Sequence, residues 1–245
     1  MDNHIYGIRP LLEAIEKGEI PEKVLIQKGL KGDNFQKLFS LIRHQKIPFQ
    51  QVPVEKLNRM GKKNHQGIVA LMSVITYQKL DMILPGIYES GETPLLVFLD
   101  GITDVRNMGA IARSAECAGA HAIVIPSKGG APVNADAMKT SAGALNRIPV
   151  CREDNILQAI AFVKECGIQV VACDEKGSHS VYQSDLSGPL TLVMGGEDKG
   201  ISAAVRKMAD QVVSIPMKGR IASLNVSVAT GIILFEALRQ RDTVN

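Results

Sequence analysis

The sequence predicts an α/β protein of two unequal domains, a small α/β domain followed by a larger one built around a parallel sheet. After residue 94, continuous apolar runs alternate with helical patterns, which is typical of βαβ units. Residues 1–77 carry a net charge of +5 and residues 78–245 a net charge of −2. Prolines, glycines and polar residues accumulate between these regions, so we predict domains over 1–77 and 94–245 joined by a linker over 78–93.

Short alternating patterns define the first domain. Apolar residues spaced three and four positions apart predict helices over 8–18 and 34–45, and short apolar runs predict strands over 23–29, 47–52 and 67–74. The densest basic stretch lies at 56–67 and includes Arg59, Lys62 and Lys63. Its charge favours a polyanionic partner, with an ordinary solvated loop as the alternative.

The second domain is predicted from five apolar strands, over 95–100, 121–126, 168–174, 190–196 and 211–216, with helices near 107–120, 155–166 and 201–209 and after residue 223. Ligands of open parallel sheets bind beyond the carboxyl ends of the strands, so the loops after Asp100, Met194 and Pro216 are candidate sites. The glycine-rich signatures GxGxxG and GxxxxGK[ST] do not follow these strands. An ordinary dinucleotide-binding or P-loop enzyme is therefore disfavoured.

Composition narrows the class of protein further. Hydrophobic residues make up 45% and charged residues 22% of the chain, as in ordinary globular proteins. The sequence has no apolar run long enough to cross a bilayer and does not begin like a signal peptide, so we expect a cytoplasmic protein. The four cysteines show no metal-ligand or disulfide spacing. We expect reduced thiols and no metal site.

Three segments, taken in order and spacing, resemble the motifs of a known family. They are NMGAIAR at 107–113, VMGGEDKGI at 193–201 and SIPMKGRIASLNVSVATG at 214–231. Together they are similar to the SpoU branch of the SPOUT methyltransferases, which methylate the ribose 2′-oxygen of RNA with S-adenosylmethionine. The first domain is similar to the RNA-binding domain of those members that modify a guanosine of 23S ribosomal RNA.

The resemblance implies a fold and a set of partners. It implies that the last part of the parallel sheet is tied in a deep trefoil knot, an exception to the rule that chains do not thread themselves. It implies that the protein is a homodimer through the knotted domain and the C-terminal helix. It also implies that ribosomal RNA is the substrate, bound by residues that include Arg59, Lys62 and Lys63.

The resemblance further assigns the cofactor site. Gly195 and Gly196 of the second motif, with Ile215, Met217 and Leu224 of the third, match the positions that hold S-adenosylmethionine. Glycine permits close approach of a ligand to the backbone, and the three apolar side chains offer a surface to an adenine ring. Considered alone, the two glycines are more typical of a turn than of a ligand site.

The matching catalytic residues are Asn107, Arg113, Glu197 and Asn225. The resemblance places Arg113 at the ribose hydroxyl, with Asn107 holding it and Glu197 nearby. A guanidinium with a pKa above about 12 keeps its proton at neutral pH, so we expect Arg113 to position the hydroxyl and stabilise negative charge, not to act as the base.

Local patterns around the last helix give further expectations. Ser223 is a candidate N-cap, and Leu224, Val228, Ile232 and Phe235 have the spacing of a buried stripe. Ser227 and Gly231 form a small-residue face that suits either a dimer contact or a close contact within the chain.

Other classes of function stay open at this stage. A catalytically silent RNA-binding protein would share the basic first half but would not need Asn107, Arg113, Glu197 and Asn225 together. A transfer-RNA methyltransferase is the nearest alternative within the family.

Overall fold

The computed structural model describes residues 4–61, 64–197 and 199–244, and the chain forms two compact units. Unit 1 comprises Met1–Val74 with Pro132–Ala135, and unit 2 comprises Ile75–Ala131 with Asp136–Asn245. Lys62 and Lys63, two of the predicted RNA-binding residues, lie outside the described residues.

Unit 1 is a mixed sheet with helices. Within its described part, the strands are β1 (His4–Tyr6), β2 (Pro21–Gln27), β3 (Phe49–Val52) and β4 (Ile68–Met72), and the helices are α1 (Ile8–Glu16), α2 (Asp33–His44) and α3 (Val54–Met60). The strand order is β1-β4-β2-β3, with β2 and β3 parallel and the other pairs antiparallel. Leu11, Ile26 and Leu38 are fully buried between helices and sheet. The predicted helices and strands are confirmed, whereas β1 and α3 were not predicted.

Unit 2 is built on a sheet of seven strands in the described part of the chain, and every pairing in it is parallel. The strands are β5 (Leu95–Asp100), β6 (Ala122–Pro126), β7 (Val150–Glu153), β8 (Gln169–Cys173), β9 (His179–Ser180), β10 (Leu190–Gly195) and β11 (Gln211–Ser214), in the order β7-β6-β5-β10-β8-β11-β9. The register pairs Gly195 with Asp100 and Met194 with Cys173. The carboxyl ends of the central strands therefore meet at one edge. The five predicted strands are confirmed, whereas β7 and β9 were not predicted.

Helices cover this sheet. They are α4 (Leu80–Glu89), α5 (Val105–Cys117), α6 (Ala135–Thr140), α7 (Ile156–Glu165), α8 (Ala203–Met208) and α9 (Val226–Val244). Helix α4 occupies the segment 78–93 that the sequence indicated as a linker. Leu80, Leu84 and Ile87 are buried in the core of unit 2, and Pro85 lies on the exposed face of the helix. Burial of three large apolar side chains outweighs the one hydrogen bond that proline cannot donate.

Helix α9 begins at Val226, and the prediction that Ser223 caps it is wrong. Asn225 is the capping residue, because its Oδ1 accepts a hydrogen bond from the backbone N–H of Ser227 at 3.0 Å. Although α9 has 19 residues, no helix in the part of the chain that the structure describes has the length and hydrophobicity to span a membrane.

The predicted buried stripe of α9 is also wrong. Val228 and Phe235 are 51% and 50% exposed, and Leu224 precedes the helix. The buried positions form a second stripe, Val226, Thr230, Ile233, Leu234 and Ala237. Both stripes have helical spacing, so periodicity could not choose between them. Gly231 faces α5, where a Cβ would lie 3.5 Å from Ser114 Oγ, which favours the contact within the chain for this position.

A charged cluster links the end of α9 to the loop before β10. Glu236 accepts hydrogen bonds from Arg239 at 2.9 and 2.8 Å and from Gln240 at 2.8 Å. Gln240 also donates to the carbonyl of Ser184 and accepts from the backbone N–H of Leu186. The hydrogen bonds from Arg239, which have the largest effect, and from Gln240 lower the pKa of Glu236 from its ordinary 4.5 to about 2.

We therefore expect Glu236→Gln to lower the melting temperature at neutral pH. Because the pKa of Glu236 is lower in the folded protein, its ionised carboxylate stabilises the fold fully above pH 4.5. This stabilisation is lost as the pH falls towards about 2. Thermal melts of wild type and variant between pH 7 and pH 3 should show a gap that narrows with acidification. The exposed Glu89→Gln serves as the control and should show no such gap. A gap for Glu236→Gln that stays constant across this range contradicts the prediction.

Candidate functional site

Three segments that lie far apart in the sequence meet at the carboxyl edge of the parallel sheet. Asn107 lies in the first turn of α5, Glu197 follows β10, and Asn225 precedes α9. The Oε1 atom of Glu197 accepts a hydrogen bond from Nδ2 of Asn107 at 3.0 Å and another from Nδ2 of Asn225 at 2.7 Å. Asn225 Nδ2 also lies 3.0 Å from Asn107 Oδ1. The structure thus joins three of the four predicted catalytic residues in one hydrogen-bonded cluster, which we call the amide–carboxylate cluster.

Local capping interactions hold the two asparagines in place. Asp104 caps α5 by accepting the backbone N–H groups of Arg106 and Asn107 at 2.8 and 2.9 Å. The Oδ1 atom of Asn225 is occupied by Ser227, through its backbone N–H at 3.0 Å and its hydroxyl at 2.5 Å. With Oδ1 occupied, Nδ2 of Asn225 faces Glu197. The cluster is therefore preorganised while it remains open to solvent.

Arg113 does not join this cluster. Among the residues that the structure describes, its side chain forms no hydrogen bond or ion pair, and that side chain is exposed. The side chain of Asn107 bonds to Glu197 and Asn225, so the expectation that it holds Arg113 stays a prediction. The two positions are six residues apart along the helix, which places them about 120° apart around the helix axis. Arg113 is therefore an exposed cation on α5 with no partner in the described part of the chain.

A pocket of about 460 Å³ adjoins the cluster. It opens at the carboxyl ends of β8, β10 and β11, and Glu197 and Asn225 belong to its wall. The pocket also contains all of the predicted cofactor residues, Gly195, Gly196, Ile215, Met217 and Leu224. This volume lies within the range of about 300–1,000 Å³ that small-molecule sites usually have.

The two glycines allow loops of the protein to pack closely. A Cβ on Gly195 would overlap the backbone of Gly200 and Ile201, and a Cβ on Gly196 would overlap the backbone of Gly101. Neither glycine has a positive φ. From the sequence, we expected these glycines to permit close approach of a ligand. In the structure, the absent side chains make room for neighbouring backbone, which builds the wall of the pocket.

Polar residues outside the family motifs also line the pocket, and the sequence analysis missed them. Asp174 directly follows β8, and Arg206 lies on α8. The position of Asp174 at a carboxyl strand end was a usable signal, while Arg206 lies in a short helix without any pattern. Burial raises the pKa of Cys173, also in the wall, to about 12. Its thiol is protonated at neutral pH and is not a nucleophile.

A second polar surface lies in unit 1, around the end of α3. Arg59 is exposed in the last turn of α3. Nδ1 of His65 accepts a hydrogen bond from the backbone N–H of Gly67, and Nε2 of the same ring lies 2.8 Å from Oδ1 of Asn58. These contacts fix the orientation of the imidazole ring. Among the described residues, no group of three or more His, Cys, Asp or Glu side chains is arranged to bind a metal ion.

Comparison with known proteins identifies the family. The model described as SpoU rRNA Methylase family matches residues 94–235, and the model described as RNA 2'-O ribose methyltransferase substrate binding matches residues 4–78. The 23S rRNA (guanosine-2'-O-)-methyltransferase RlmB of Escherichia coli (strain K12) is 39% identical over 248 residues, covering 98% of this chain and 100% of that protein. RlmB of Photorhabdus laumondii is 39% identical over 99% of this chain and 100% of that protein.

Solved structures agree with this result. The SpoU methyltransferase AviRb from Streptomyces viridochromogenes, in complex with the cofactor AdoMet, is similar with a TM-score of 0.63 and 28% identity. The match covers 98% of this chain and 90% of AviRb. Since one family model covers more than half of the chain and the relatives match along their whole length, this chain belongs to the SpoU rRNA methylase family.

Proposed function

We propose that this protein transfers a methyl group from S-adenosylmethionine to the ribose 2′-hydroxyl of a guanosine in 23S ribosomal RNA. The observation that carries the proposal is the amide–carboxylate cluster, which three distant segments build beside a ligand-sized pocket. The names of the full-length relatives state the same activity.

The pocket is the proposed cofactor site. Ile215, Met217 and Leu224 supply apolar surface for the adenine ring, and Met217 and Leu224 are 40% and 36% exposed. Gly195 and Gly196 shape the opposite loops. When bound there, S-adenosylmethionine supplies a methyl group already activated by its sulfonium. The protein therefore needs to orient the acceptor oxygen more than to activate the donor.

Arg113 is the proposed residue at the acceptor hydroxyl. Its guanidinium is exposed and has no partner among the described residues, so its donors are available to RNA. A guanidinium offers five hydrogen-bond donors and no acceptor, so we exclude Arg113 as the general base. We assign it the positioning of the 2′-hydroxyl and the stabilisation of negative charge on that oxygen, while water or an RNA phosphate accepts the proton.

The amide–carboxylate cluster is proposed to fix the walls of this site. Asn107, Glu197 and Asn225 tie the start of α5, the loop after β10 and the start of α9 to one another. Rate enhancement by orientation requires that such elements do not move relative to each other during the reaction. The cluster supplies that rigidity at the edge of the pocket.

Mapping of ribose methylation tests the function directly. Mass spectrometry of 23S ribosomal RNA from cells with and without the protein should show one guanosine whose 2′-O-methyl group depends on the protein. In vitro, the purified protein and S-adenosylmethionine should methylate the same guanosine of unmethylated 23S RNA. Loss of a 2′-O-methyl group from transfer RNA instead would identify transfer RNA as the substrate. Unchanged methylation of every RNA would favour a catalytically silent RNA-binding protein.

Residues 1–77 are proposed as the RNA-binding domain, with Arg59, Lys62 and Lys63 contacting phosphates. Residues 4–78 match the substrate-binding family model, and the segment 1–77 carries a net charge of +5. Each lysine or arginine that neutralises a phosphate releases a counterion, so RNA affinity should fall with added salt.

Arg59→Ala is therefore expected to reduce the slope of log affinity against log salt by about 0.7–0.9. Filter-binding titrations with a 23S RNA transcript at several salt concentrations measure this slope. Lys37→Ala, an exposed cation on α2 outside the basic stretch, is the matched control and should leave the slope unchanged. An unchanged slope for Arg59→Ala contradicts its assignment to a phosphate.

We also propose a homodimer with a knotted second domain, acting in the cytoplasm, where ribosomal RNA is found. The exposed face of α9 supports the dimer, because Val228 and Phe235 would leave a large apolar surface in water on a single chain. The close packing of the loops at Gly195 and Gly196 supports the knot. Sedimentation analysis of the purified protein tests the dimer.

A further inference from the structure

Four charged residues of the pocket belong to none of the three family motifs, namely Asp174, Glu175, Lys176 and Arg206. Asp174 follows β8, and Arg206 lies on α8. The apolar residues proposed to contact adenine come instead from the segment between β11 and α9. The pocket therefore combines an apolar part and a charged part, as a ligand with an aromatic base and a charged tail would require.

Asp174 is held firmly in the protein. Its side chain is only 7% exposed, its Oδ1 accepts the backbone N–H of Lys176 at 2.9 Å, and its Oδ2 accepts Nη2 of Arg206. A buried carboxylate is costly unless it is paired and hydrogen-bonded, and Asp174 has both kinds of partner. Asp174 therefore fixes the guanidinium of Arg206 at the pocket wall.

Arg206 retains donors for a ligand. A guanidinium carries five N–H groups, and only Nη2 of Arg206 has a partner among the described residues. The side chain is 37% exposed and lines the pocket. Lys176 and Lys199 also line it, but both are exposed, and their side chains have no partner in the described part of the chain. Ordering such flexible side chains costs conformational entropy that the fixed Arg206 does not lose.

We propose that Arg206, positioned by Asp174, binds the carboxylate of the methionine part of S-adenosylmethionine. This inference rests on the cofactor site proposed above. A planar guanidinium with free donors matches a carboxylate in geometry and charge, and such charge-assisted pairs are stronger than neutral hydrogen bonds. The residue thereby selects a ligand with an intact amino-acid end.

The test compares two ligands that differ only in this carboxylate. Isothermal titration calorimetry with S-adenosylmethionine and with decarboxylated S-adenosylmethionine gives the affinity ratio for each protein. Wild type should prefer the intact cofactor by between about tenfold and a hundredfold. Arg206→Ala should bind the intact cofactor more weakly by the same factor and bind the decarboxylated ligand with unchanged affinity.

Additional variants separate ligand recognition from folding. Arg206→Ala leaves Asp174 as an unpaired buried charge, so the double variant Asp174→Asn/Arg206→Ala is titrated as well and should show the same loss of discrimination. Lys207→Ala, on the same helix but outside the pocket, is the control and should retain the preference. Equal weakening of both ligands, or no weakening of either, overturns the role of Arg206. A wild-type protein that binds neither ligand overturns the cofactor site itself.

Discussion

Replacing Arg113 with alanine is expected to lower kcat for methyl transfer by at least about a hundredfold, because removal of one preorganised donor at a developing anion has an effect of that size. Affinity for S-adenosylmethionine should stay unchanged, since Arg113 is not part of the pocket wall. Single-turnover assays with 23S RNA and labelled cofactor measure the rate, and calorimetry measures cofactor binding.

Two further variants define the role of this guanidinium. Arg113→Lys keeps the positive charge but loses the planar fork of donors, so we expect an intermediate rate. Arg147→Ala removes another exposed arginine of unit 2, whose nearest carboxylate, Glu116, lies 3.8 Å away, and should leave the rate unchanged. Full turnover by Arg113→Ala would show that this side chain does not act on the hydroxyl.

Much of the fold was readable from the sequence because the strands of a parallel sheet are covered on both faces. Such strands appear as continuous apolar runs, as in 95–100 and 190–195, and turn residues mark their ends. Strand β9 carries no comparable signal, because it has only two residues. Helix α4 was not predicted, because Pro85 and Gly86 are typical of turns and outweighed the helical spacing of Leu80, Leu84 and Ile87.

The faces of α9 could not be assigned from sequence for a different reason. Its apolar residues occupy two stripes, and the packing of α9 against α5 and β10 leaves Ile233 buried and Phe235 half exposed. The choice depends on tertiary packing. A helix that is apolar on both sides is consistent with burial of one face within the chain and of the other against a second copy.

Some residues of the candidate site could be predicted from the sequence, and others could not. Asn107, Glu197 and Asn225 were identified because the motifs that contain them are contiguous in sequence, and the structure brings them within hydrogen-bond distance. The pair formed by Asp174 and Arg206 joins residues 32 positions apart in different elements, and neither lies in a motif. Contacts of this kind leave no local pattern, so they become visible only in the folded chain.

Gly195→Ala is expected to destabilise the protein and to weaken cofactor binding together. The added Cβ would overlap the backbone of Gly200 and Ile201, which cannot move away as the end of a flexible side chain could. Overpacking of this kind costs about 1–3 kcal/mol, and separation of the two loops would open the pocket wall. Thermal melts without ligand should fall by several degrees, at about 2–4 °C per kcal/mol for a chain of this size. Calorimetry should show reduced affinity for S-adenosylmethionine.

The matched control for this variant is Gly188→Ala. Gly188 has no atom within 4 Å of its ideal Cβ position and no positive φ, so the same added methyl group should change neither stability nor affinity. If Gly195→Ala melts like wild type but loses affinity, the ligand, and not the neighbouring loop, occupies the space at this glycine. Unchanged stability combined with unchanged affinity would show that neither the loop packing nor the cofactor depends on Gly195, because a close-packed wall cannot accept a methyl group without a measurable change.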